Sequence, residues 1–124
     1  MYRLKVTSAF EAAHRLPEYP GKCHRLHGHN WRVETTIVGY ELDNQGMLAD
    51  FKIVKKALND ILNAWDHQYL NDLPDFQTVP PTAENMSRLV YEKLAASNIF
   101  NDRVKLKETC VWESTNSCAL YSID

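Results

Sequence analysis

The hydrophobic period changes twice along this chain, and that limits the folds open to it. From Tyr2 to His14 the residues alternate: Leu4 and Val6 stand between Arg3 and Lys5, and Phe10, Ala12 and His14 share one parity. A period of two sends successive side chains to opposite faces of a strand. The segment 15–29 reads as a loop at first, with Pro17, Pro20 and Gly21. A second strand is expected over about Asn30–Leu42, with Trp31, Val33, Thr35 and Ile37 on one face and Arg32, Glu34 and Thr36 on the other. Asp43–Gly46 is a turn. The period then becomes helical. Asp50 is placed to cap a helix carrying Phe51, Val54, Ala57, Leu58, Ile61, Leu62 and Trp65. An extended loop, 66–81, holds Pro74, Pro80 and Pro81. Thr82 then caps a second helix with Met86, Leu89, Val90 and Leu94 as its stripe. The period returns to two over about Val104–Glu113 and Cys118–Ile123. The order ββααββ predicts an α+β fold, an antiparallel four-stranded sheet with two helices on one face.

At 124 residues the chain is expected to form a single domain, 1–124. A chain of this size buries roughly two thirds of its unfolded surface, so it needs no metal or disulfide merely to fold. The formal net charge of −2 with mixed signs argues against a nucleic-acid partner. The N-terminal stretch MYRLKVTSAFEAAH has no long apolar core, so neither a secretory signal nor a membrane span is expected. Three cysteines, an odd number, give no disulfide framework and suit a reducing, cytoplasmic compartment. Long strands leave edges free to pair with another chain. Val38 and Tyr40 on the nominally polar face of the second strand suggest that this face is covered too. Both features favour a homo-oligomer whose sheets continue across subunits into a barrel.

Cys23-His24-Arg25-Leu26-His27-Gly28-His29 crowds a thiol and three imidazoles into seven residues. His27 and His29 are two apart, so on an extended segment both leave by one face. His14 ends the first strand, and a hairpin would bring it near. Three imidazoles from paired strands match a catalytic zinc site with a fourth position open. Gly28 is expected where the backbone approaches the ion closely. A closed structural site of Cys23 with the three histidines has the same spacing, though the chain is large enough not to need one. His24 differs in parity and is left out.

A thiol beside a cation and imidazoles can be held as thiolate near neutral pH, which makes Cys23 a candidate base or nucleophile. Asp66 and His67 follow the first helix, where a carboxylate can fix an imidazole's tautomer. Glu113, beside Val111 and Trp112, could take a bidentate bond from an amidine-like ligand edge. Glu108 is five positions away and faces the other side of the strand. Residue type alone does not choose between them.

In chain order, FEAAHRL, CHRLHGHNW, DHQYLND, PTAEN and WESTNSCALY resemble the 6-pyruvoyltetrahydropterin synthase family over nearly the whole length. The three residues between Cys23 and His27 are similar to the bacterial 6-carboxy-5,6,7,8-tetrahydropterin synthase branch, which serves queuosine biosynthesis. The resemblance implies a T-fold (tunnelling-fold) subunit, often in a hexamer with active sites between subunits. It implies a lyase with Zn2+ on His14, His27 and His29. It makes Cys23 the general base and Asp66 with His67 a second proton-transfer unit supplied by a neighbour. It selects Glu113, eight residues before Tyr121, as the pterin anchor, and matches Thr82 and Glu84 to the pocket lining. The implied reaction converts 7,8-dihydroneopterin triphosphate to 6-carboxytetrahydropterin, acetaldehyde and triphosphate. The triphosphate contacts lie among Arg15, Lys22, His24 and Arg25. The alternatives are a pyruvoyl-forming synthase, a non-catalytic zinc-binding module and a hydrolytic zinc enzyme. The sequence assigns no role to Cys110 or Cys118.

Overall fold

A computed structural model of the chain describes residues 1–18, 20–21 and 24–124. The thiol expected at Cys23 and the phosphate contact considered for Lys22 lie outside the described residues. Strand β1 (Tyr2–His14) and strand β2 (His27–Gly39) form a long antiparallel hairpin. Helix α1 (Phe51–Leu62), a two-residue strand β3 (Gln68–Tyr69) and helix α2 (Ala83–Ala95) follow. Strands β4 (Lys105–Trp112) and β5 (Cys118–Tyr121) complete the described elements. The sheet order is β3-β1-β2-β4-β5.

Both helix starts follow from their caps. Asp50 Oδ1 accepts the Lys52 amide at 2.8 Å, and the Thr82 hydroxyl accepts that of Asn85 at 3.1 Å. Each satisfies an amide that the helix itself leaves unpaired. The apolar stripes meet one sheet face, where Phe10, Ala12, Trp31, Val33 and Val111 pack on Leu58, Leu62, Met86, Val90 and Leu94. Fully burying a side chain of this kind contributes roughly 1.5–3 kcal/mol.

Three expectations are corrected. The sheet has five strands and is mixed, because β3 runs parallel to β1 (Ala12 opposite Gln68, Ala13 opposite Tyr69). The proline-rich 66–81 segment satisfies its backbone there instead of remaining a loop, and continues through short 3-10 turns at Leu70–Asp72 and Pro74–Phe76. The second strand begins at His27 and stops at Gly39, so Tyr40 lies beyond it and is exposed. A Cβ at Gly39 would sit 2.6 Å from the Arg103 backbone carbonyl oxygen, so only glycine allows that close approach. Trp65 lies past the end of α1 yet is fully buried, with its indole donating to Asp75 at 2.9 Å.

Candidate functional site

The hairpin register creates the site. His14 stands directly opposite His27, and Ala12 opposite His29. All four share parity with Phe10 and Trp31, so the imidazoles point to the helix-covered face, at its open end. His14 is wholly buried there. The ring centroids lie 4.5, 4.9 and 4.7 Å apart for the pairs 14–27, 14–29 and 27–29.

Backbone carbonyls set the tautomers. His14 Nδ1 donates to Pro81 O at 2.8 Å, and His27 Nδ1 to Arg25 O at 2.7 Å. A carbonyl only accepts, so each ring spends its hydrogen on Nδ1 and presents a lone pair at Nε2. Those two Nε2 atoms face each other at 2.9 Å. Among the described residues His29 Nε2 is buried without a hydrogen-bond partner, although Glu113 Oε1 is 3.0 Å away. Glu113 Oε1 is also 3.5 Å from His14 Nε2. The four donor atoms lie within 4.8 Å of one another. Facing lone pairs and an orphaned buried nitrogen are costly unless a cation lies between them, so the residues fit a divalent metal.

Burial keeps the cluster ready for that role. Desolvation pulls His14 below its ordinary value against the Pro81 carbonyl's upward pull, with His27 lowering it further and Glu113 opposing. Desolvation also lowers His29, with Glu113 opposing. The neutral ring is the metal-binding form. Glu113 itself follows β4, and its amide closes the turn to Ser117 O at 3.1 Å. With Glu84 and Ala83 from the start of α2, it lines a cleft of about 270 Å³.

A model described as 6-pyruvoyl tetrahydropterin synthase matches residues 3–124. The chain belongs to this family. It is similar to the 6-carboxy-5,6,7,8-tetrahydropterin synthase of Bacillus subtilis, 35% identical over 115 residues, which cover 89% of this chain and 75% of that protein. The Synechocystis enzyme of the same name is 36% identical over 108 residues, 82% of each chain. The solved structure of the Caenorhabditis elegans 6-pyruvoyl tetrahydropterin synthase superposes with a TM-score of 0.85 at 28% identity, covering 99% of this chain and 96% of that one. The fold is therefore the family's T-fold, and the family's lyase-type chemistry is the chain's enzyme class.

Of the residues singled out by sequence, His14, His27, His29 and Glu113 converge. Glu108 pairs with Thr36 on the opposite sheet face, so the structure separates the two glutamates. Asp66 and His67 meet each other, Oδ1 to Nδ1 at 3.0 Å, but not the imidazole cluster. The cleft beside His67, about 570 Å³, is lined by Glu11, Ala13, Gly28 and Asn30, and shares only His29 with that cluster. Those four residues alternate with the ligand set, so the cleft opens on the other sheet face. The Thr82 hydroxyl is spent on its cap. Arg15 Nε donates to His24 O at 2.8 Å. Gly28 does not face the ligand cluster: a Cβ there would meet nothing closer than Ala12 O at 4.0 Å. Alternation turns it away from its histidine neighbours, and its missing side chain widens the cleft instead.

Sequence reasoning missed Asn71 and Glu11. The Asn71 amide both accepts from Arg15 N and donates to Arg15 O, each at 2.8 Å, extending the β1–β3 ladder past His14. An amide carries a donor and an acceptor side by side, which suits it to mimic a peptide. The Glu11 amide donates to Asp66 Oδ1 at 3.0 Å. That bond first, and His67 second, hold the Asp66 carboxyl below the usual carboxylate range.

Proposed function

We propose that the protein is a zinc-dependent 6-carboxy-5,6,7,8-tetrahydropterin synthase acting on 7,8-dihydroneopterin triphosphate in queuosine biosynthesis. The observation that carries this reading is the convergence of three imidazole Nε2 atoms beside the Glu113 carboxylate. The three-residue spacing from Cys23 to His27 and the names of the relatives at 35% and 36% identity support the carboxy-forming branch.

His14, His27 and His29 would hold the metal, which when bound supplies a Lewis acid that acidifies hydroxyl and neighbouring C–H groups. Glu113 accepts from the guanidine-like edge of the pterin, with Glu84 beside it in the same cleft and Thr82 capping the helix that carries Glu84. Cys23 takes a carbon-bound proton. His67, fixed through Nδ1 by Asp66, moves protons on the other side of the ligand. Because the Asp66–His67 cleft and the imidazole cluster open on opposite faces, a neighbouring copy must bring its pair to the cluster. A hexamer of T-fold barrels meets that need. Among the described residues no strand pairs with the outer edge of β1 from Tyr2 to Glu11, or with the outer edge of β5. Such edges can continue the sheet into another subunit. We place the enzyme in the cytoplasm. No helix among the described residues is long and apolar enough to cross a membrane.

Incubation with 7,8-dihydroneopterin triphosphate should release acetaldehyde together with triphosphate. Triphosphate without acetaldehyde would select the pyruvoyl-forming reaction instead. Neither product would leave a metal-binding module. The 3.0 Å approach of Glu113 to His29 favours one second reading, in which Glu113 is a fourth ligand and closes the site. In that case Glu113→Ala would lose metal; as a substrate anchor it keeps the metal and raises KM.

A further inference from the structure

Two carboxylates face the His67 ring, one at each nitrogen. Asp66 Oδ1 lies 3.0 Å from Nδ1, and Glu11 Oε2 lies 3.4 Å from Nε2. A neutral imidazole has one hydrogen and can satisfy only one of them. The second carboxylate meets the ring at the nitrogen that Asp66 leaves free.

The backbone shows that this arrangement is imposed. His67 has φ of 57°, in the left-handed region that non-glycine residues seldom enter. Such a conformation persists where the surroundings over-determine it, and it is found preferentially at functional positions. Here the His67 amide donates to Glu11 O at 2.6 Å while the Glu11 amide donates to Asp66. One residue of β1 thus holds both members of the Asp66–His67 pair through its peptide groups and faces the ring tip with its side chain. The ring lies in the cleft that Gly28 leaves wide.

As a stability device the Glu11–His67 contact is weak. The side chains are 64% and 73% exposed, and surface ion pairs of this kind add little to folding. The backbone bonds of Glu11 do not depend on its carboxylate. What the carboxylate adds is orientation and charge at Nε2, the nitrogen not held by Asp66.

We propose that Glu11 is a positioning residue for His67. Its carboxylate, 3.4 Å from Nε2, fixes that edge of the ring in the cleft while Asp66 holds Nδ1. The proposal rests on the reading of His67 as a proton-transfer group and adds no chemical step to it.

The test is a double-mutant cycle on the intact oligomer, with steady-state kinetics on dihydroneopterin triphosphate. Glu11→Gln keeps the peptide bonds and the shape but removes the charge. His67→Asn removes the ring while tolerating positive φ. Glu11→Gln is expected to lower kcat about 5- to 20-fold, with KM within twofold and an unchanged thermal midpoint. Introduced into His67→Asn, it should have no further effect on kcat. A change under twofold in the otherwise natural protein, or equal losses in both backgrounds, would overturn the role of Glu11. An undiminished kcat in His67→Asn alone would overturn the reading of His67 and this proposal with it.

Discussion

His14 and His27 differ in burial, and that difference separates their two predicted losses. His14 is fully buried and holds the Pro81 carbonyl. His14→Ala leaves a cavity and an unpaired buried carbonyl, together about 2–4 kcal/mol. His27→Ala should also lose the metal, at much smaller cost to the metal-free fold. Metal analysis and urea melts of chelator-treated protein check both. The same burial predicts a pH response. Folding lowers His14 and His29 below 6.5, so the unfolded chain takes up protons first as pH drops. The metal-free protein should keep this contribution above pH 6.5 and lose it steadily below. A thermal midpoint that does not move between pH 7 and pH 5 would refute it. For the two glutamates, Glu113→Ala should raise KM strongly and Glu108→Ala should not, since Glu108 faces Thr36 on the other side of the sheet.

Among the elements, those whose signal is local were legible in the sequence. Alternation gave β1 its ends, and the Asp50 and Thr82 caps placed both helix starts. Thr82→Ala should therefore cost about 1 kcal/mol in denaturant unfolding, through the lost bond to the Asn85 amide. The ladder between β3 and β1 was not legible. Two residues are too short to show a period, and its outer bonds come from the Asp66 and Asn71 side chains. Glu11 escaped notice for a related reason. Its contacts lie 55 residues away in sequence, and a lone strand carboxylate looks like solvated surface. Gly28 was misread because it lies between two expected ligands, whereas strand alternation turns it to the opposite face.

At the scale of the whole molecule, the imidazole cluster and the Asp66–His67 pair occupy opposite faces of one sheet, so the proposed chemistry belongs to an assembly. Each copy would lend one half of its machinery to a neighbour and take the other half in return. What that machinery requires is a metal held by nitrogen alone, leaving the Cys23 sulfur unbound and able to accept a proton. X-ray absorption at the zinc edge of the protein as purified measures this directly. The expected spectrum shows imidazole nitrogens and a light atom in the remaining position, with no sulfur. A sulfur scatterer at about 2.3 Å, the usual zinc–thiolate distance, would make the site a closed structural one and contradict the account.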